Sequence, residues 1–187
     1  PMEQLIKTFR KFSKDCPQTQ LEMSVEHLDH GERRLRAGEV DLAITMRPRD
    51  MSEITMAPFM DLRLLSTGES DYVNGGNVKQ SDLIDKTQII VSQLNFKPQK
   101  EKEGGGVLEG SRQWRVADFP TKQSFIRAGL GYGYLPEQYV RKYIDNGSLA
   151  EIQCMAPVKM EIVVLRRLKD PMGPAKTLLW DNLKSED

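Results

Sequence analysis

Three glycines in five residues, Gly129, Gly131 and Gly133, constrain this chain more than any other feature. They lie within DFPTKQSFIRAGLGYGYLPEQYVRKYIDNG, residues 118–147. Lacking a Cβ, such residues let the backbone turn sharply and approach another segment or a ligand closely. The helix before them is expected to start near Thr121 as N-cap. It turns Phe125 and Ile126 inward and ends at Gly129 in the left-handed conformation. A short strand then runs to Pro136, and a second helix stops at Gly147. Taken alone, the glycines suggest a wall of a binding crevice. Taken in chain order, they allow helix and strand to pack closely, which leaves Phe119 and Thr121 at the front of the stretch to face a ligand.

The preceding residues show a related rhythm. Leu5, Ile6, Phe9 and Phe12 give residues 2–14 one apolar side, opposite Lys7, Arg10, Lys11 and Lys14, and Pro17 bars continuation. Leu21, Met23 and Val25 alternate with polar residues as a strand does. A helix from Asp29, as N-cap, carries Leu35 inward and ends at Gly38, and VDLAIT at 40–45 reads as a strand. Such winding predicts parallel βαβ units with a ligand outside the carboxyl ends of the strands, where Glu26, His27, Thr45 and Met46 fall.

Farther on, 54–65 reads as an extended passage broken at Pro58 rather than one strand. Residues 67–77 are turn-rich, and a short helix at 81–84 leads to a strand at 88–91, with Ser92 and Gln93 at its end. The run KPQKEKEGGG at 97–106 reads as a surface excursion; it lacks the lysine and hydroxyl that a phosphate loop requires after its glycines. Trp114 and Val116 alternate in a strand that delivers Asp118 and Phe119. After Gly147, strands are expected at 149–152 and 160–165. A final helix from Pro174 carries Leu178, Leu179 and Leu183 on its apolar side. A strand and helix arriving so late must pair with structure already built. Two lobes follow: 1–66 with 159–187, and 67–158.

Charge and cysteine content narrow the function classes. Lysine plus arginine and aspartate plus glutamate number 27 each, so no overall basic field draws the chain to a nucleic-acid backbone. Cys16 and Cys154 form neither a CxxC pair nor a zinc knuckle and read as free thiols. No run of 18 apolar residues is present and residues 1–12 lack the apolar centre of a signal peptide, so a cytoplasmic protein without membrane contact is expected.

The segments CPQTQLEMSVEHLDHGERRLRAGEVDLAIT and FIRAGLGYGYLPEQYVRKYIDNGSLAEI resemble the effector-binding domain of LysR-type transcriptional regulators. The first carries the family's L-x-x-G-x-x-D-x-A-I as Leu35, Gly38, Asp41, Ala43 and Ile44. The second carries its A-G-x-G and downstream P and G-x-L as Ala128, Gly129, Gly131, Pro136, Gly147 and Leu149. The resemblance implies an α/β fold of the periplasmic-binding-protein-like type 2 class, with two lobes of mixed sheet joined by two crossover segments. It implies a small-molecule effector in the cleft, a homodimer that becomes a tetramer in the full-length protein, and DNA contact only through an N-terminal winged helix-turn-helix. The chain departs from the family pattern at its start, where a strand normally precedes the first helix.

The site expected from strand ends comprises Thr45, Met46, Ser92, Gln93, Phe119 and Thr121, with Glu26 and His27 beside them. Hydroxyl and amide groups among apolar surface suit a small-molecule pocket, and helix starts at Asp29 and Thr121 favour an anionic ligand such as a carboxylate. Arg47 and Arg49 could clamp an acid, but charged residues beside Pro48 are more often a solvated loop. His27 and His30 lack the further ligands of a metal site, and a strand rather than a helix follows the glycines, unlike a dinucleotide fingerprint. No catalytic triad, metal or cofactor is expected. A ligand-sensing regulatory domain is the leading reading. An exported solute-binding protein and an enzyme on the same fold are the alternatives.

Overall fold

The computed structural model describes residues 2–25, 30–91 and 107–184. Asp29, the candidates Glu26, His27, Ser92 and Gln93, and the excursion at 97–106 lie outside the described residues. The chain divides into two compact units, Pro1–Asp61 with Glu161–Asp187 and Leu62–Met160. It crosses between them twice, within strands β2 (Ile54–Glu69) and β7 (Val158–Arg167).

In the first unit, α1 (Met2–Asp15) packs on α6 (Pro174–Leu183). Its inward stripe is Leu5, Thr8 and Phe12, whereas Ile6 is 48% exposed, so the apolar side expected from the sequence is rotated toward a threonine. Thr8 Oγ1 donates to the Asn182 carbonyl at 3.2 Å, which satisfies the hydroxyl that this rotation buries. On α6 the core side is Trp180 and Leu183, joined by Leu179; these pack with Ala57, Phe59 and Val164. The second helix, α2 (His30–Ala37), buries Leu35 completely and stops at Gly38, whose φ of +79° only glycine adopts freely. The Arg167 guanidinium donates to the carbonyls of Leu35 and Val40, satisfying acceptors at the helix end.

Three expectations fail in this unit. Residues 21–25 form no strand, and Leu21, Met23 and Val25 are 44%, 60% and 91% exposed. Alternation makes a strand only when a neighbouring backbone takes up its hydrogen bonds, and no described strand pairs here. The parallel winding predicted from it is therefore absent: β1 (Ala43–Met46) is antiparallel to β7, with Thr45 opposite Val163 and Met46 opposite Ile162. Thirdly, β2 runs unbroken through Pro58. Its first half neighbours β7, while β5 and β6 join it only from Leu64 onward, so the missing N–H of Pro58 falls on a stretch with an open side.

The second unit is built on a mixed sheet in the order β2-β5-β3-β4, with β6 (Leu149–Glu151) also on β2. Strand β5 (Tyr132–Pro136) is antiparallel to β2, whereas β3 (Thr87–Val91) is parallel to both β5 and β4 (Arg112–Val116). The carboxyl ends of β3, β4 and β5 therefore point the same way. Helices α3 (Gln80–Ile84), α4 (Phe119–Arg127) and α5 (Glu137–Asp145) complete the unit. Leu65, Ile89, Ile126, Leu135, Val140 and Leu149 form its main core. Burying a side chain such as Ile126 fully contributes roughly 1.5–3 kcal/mol.

Candidate functional site

The first turn of α4 is where the sequence candidates and the chemistry of the second unit coincide. Strand β4 ends at Val116, and two residues later the chain enters α4 through DFPTK. Asp118, not Thr121, is the N-cap: its backbone is extended and its Oδ1 accepts from the Thr121 N–H at 2.6 Å. The carboxylate outcompetes the threonine because Pro120, whose fixed φ suits an early helical position, sets the helix start one turn sooner. Phe119 and Thr121 are both half-buried on that turn. Asp118→Ala is expected to cost about 1 kcal/mol, read as a Tm drop of roughly 2–4 °C, with Asp118→Asn close to wild type.

Sequence reasoning missed the next residue. Lys122 is 6% exposed, on the stripe that also carries Phe119 and Ile126. Its Nζ lies 5.9 Å from the centroid of the Phe119 ring. A Cβ placed on Gly133 of β5 would stand 3.0 Å from Lys122 Cε and 3.3 Å from Nζ, so the stem lies directly on the glycine. Among the described residues no carboxylate or hydrogen-bond acceptor engages Nζ, and burial pulls the amine down to about 8. Gln88 shows how this unit treats an architectural polar group: 1% exposed, it accepts from the Leu108 N–H at 2.8 Å and Ser111 Oγ at 3.2 Å. The available signal was the spacing 119, 122, 126, which places a lysine on an apolar helical stripe.

The anion argument from helix starts changes accordingly. At α4, Pro120 has no N–H, the Thr121 N–H is held by the Asp118 side chain, and the Lys122 N–H by the Asp118 carbonyl at 3.1 Å. Positive charge at this turn resides in the Lys122 side chain. In the first unit, Thr45 is 9% exposed and Met46 half-buried at the end of β1. Arg47 pairs with Glu161 at 3.1 Å, which commits it to an ion pair within its own unit. Among the described residues no group of three or more His, Cys, Asp or Glu side chains is arranged to hold a metal, and no helix is long and apolar enough to cross a membrane. Cys16 and Cys154 are free thiols.

The family model of the LysR substrate binding domain matches residues 2–187. Among solved structures, the C-terminal domains of a LysR family protein from Agrobacterium tumefaciens are 17% identical, with a TM-score of 0.74 over 95% of this chain and 86% of that one. The regulatory domain of AphB from Vibrio vulnificus is 18% identical, with a TM-score of 0.71 over 95% and 89%. Full-length LysG from Corynebacterium glutamicum with bound effector Arg is 18% identical, with a TM-score of 0.69 over 94% of this chain. The chain spans 60% of that protein's length. No curated protein matches it in sequence. The fold is of the periplasmic-binding-protein-like type 2 class, with mixed sheets and two crossings between units. This chain belongs to the LysR substrate-binding domain family.

Proposed function

We propose that this chain is the ligand-sensing regulatory domain of a LysR-type transcription regulator and that its effector is a small, anionic metabolite. The match across residues 2–187 carries this reading. The amine of Lys122, a residue 6% exposed, supports the sign of the effector's charge, and LysG, with bound effector Arg, is a relative whose ligand is a small molecule. Thr45, Met46, Phe119 and Thr121 are the candidate contacts of the effector. The chain acts in the cytoplasm as a homodimer, assembles as a tetramer in the whole protein, and reaches DNA through a winged helix-turn-helix of that protein. It turns over no substrate.

A thermal-shift screen of amino acids, small carboxylates and neutral metabolites tests this. A ligand that binds only the folded state at 100 times its Kd stabilises by about 2.7 kcal/mol, a Tm rise of roughly 5–10 °C. The rise is expected for at least one carboxylate and is expected to shrink in Thr45→Val and Phe119→Ala. A panel without any hit, or a hit that is steadily consumed to product, would overturn the reading.

A further inference from the structure

Lys122 is a charged side chain where the fold otherwise places core residues. Removing an ammonium from water is costly unless a counter-charge meets it, and among the described residues none does. Its neighbours are otherwise engaged. On and around α4, the Asp118 carboxylate is held by the Thr121 N–H and Arg127 lies over the Tyr143 ring at 4.3 Å. On β5, the Tyr132 hydroxyl donates to the Leu83 carbonyl and that of Tyr134 to the Ala156 carbonyl. On β4, Arg115 donates to Gln113, and Arg112 is exposed; β3 carries no ionisable residue.

Direction adds a second argument. Long helical side chains lean toward the helix N-terminus, and Lys122 passes Gly133 on its way to the ring of Phe119, the first residue of α4. The helix starts just after the carboxyl end of β4, on the edge shared by the parallel strands β3 and β5. That is the edge at which open α/β sheets bind their ligands.

We propose that Lys122 is the charged anchor of the effector site, its Nζ forming the ion pair that fixes a carboxylate of the small-molecule ligand against the first turn of α4. This rests on the sensing reading above and names the residue and ligand group that give it selectivity. Neutral analogues of the effector then bind poorly, because they offer the ammonium no counter-charge.

The test follows the Lys122 Cε resonance of the 187-residue chain, labelled with 13C-lysine and assigned by its loss in Lys122→Met, through a pH titration. Malonate is the probe, with chloride at matched ionic strength as reference. In chloride the midpoint is expected near 8. In malonate it should rise by about one unit or more, because an adjacent anion favours the charged amine. A metabolite hit from the thermal screen should bind Lys122→Met at least tenfold more weakly. An unmoved midpoint with malonate, or wild-type affinity in Lys122→Met, overturns the assignment. Equal stabilisation of both proteins by a metabolite leaves the sensing reading standing and removes this one. A midpoint raised by malonate with no metabolite hit shows an anion-responsive lysine but overturns the sensing reading, and the effector role of Lys122 falls with it.

Discussion

Replacing Lys122 by methionine is expected to stabilise the chain by about 3 kcal/mol at pH 7, with Tm rising by roughly 6–12 °C. The amine falls from its ordinary 10.5 to about 8 in the folded protein, and each unit is worth about 1.4 kcal/mol. The sign follows from proton counting. Between pH 8 and 10.5 the unfolded chain holds the proton that the folded one has released, so stability rises with pH through this window. Below it both states are charged and the destabilisation is fully present; above it both are neutral and the destabilisation is gone. Methionine fills a similar volume with no charge. The gap between variant and wild type should therefore be widest below pH 8 and close as pH passes 10.5, as measured by urea unfolding at several pH values. A gap that is constant with pH would mean that packing, not charge, separates the two proteins. An ammonium met only by the Phe119 ring and kept at such a cost fits a residue kept for binding, since functional sites commonly trade stability for activity.

Elements governed by local chemistry were legible without coordinates. Pro17, Gly38, Gly129, Pro136 and Gly147 punctuate the helices where proline and glycine geometry demands, and Gly129 and Gly147 have φ of +70° and +76°. What depended on distant partners was not. The alternation at Leu21, Met23 and Val25 is sound as a pattern, yet it lies unpaired, because strand formation is decided by a neighbour elsewhere in the chain. Pro58 suggested a break but sits on a stretch of β2 with an open side. The candidate site divides along the same line. Phe119 and Thr121 were named as candidates because they follow a strand end. Lys122 was passed over because a lysine next to Gln123 reads as solvated, and only its contact with Gly133 shows that it is inside.

A large loss of stability is expected from Gly133→Ala. A Cβ at this position would lie 2.5 Å from the Ile89 carbonyl oxygen, closer than real Cβ atoms come to backbone, besides pressing on Lys122 at 3.0 Å. A lysine stem can swing away, but the Ile89 carbonyl belongs to a strand whose two sides are both paired, to β4 and β5. Relief therefore requires β5 to move away from β3, loosening Leu135 and Ile126 in the same core. Overpacking of this kind costs about 1–3 kcal/mol, and a rigid backbone contact belongs at the upper end. Gly131→Ala, 2.5 Å from the Thr87 carbonyl oxygen, should behave alike. The two are separated by their response to a second change. Beyond its effect in the wild-type background, shortening the lysine in Gly133→Ala/Lys122→Ala should recover only the part of the loss due to Cε, and Lys122→Ala should recover nothing from Gly131→Ala. A double-mutant cycle in urea measures both. Full recovery by Lys122→Ala in the Gly133 variant would show that the glycine exists for the lysine alone; partial recovery, the expected result, would show that the strand pair needs it first. In either case the glycine-rich passage packs the second unit's sheet, and at Gly133 it also makes room for the residue that we assign to the effector's carboxylate.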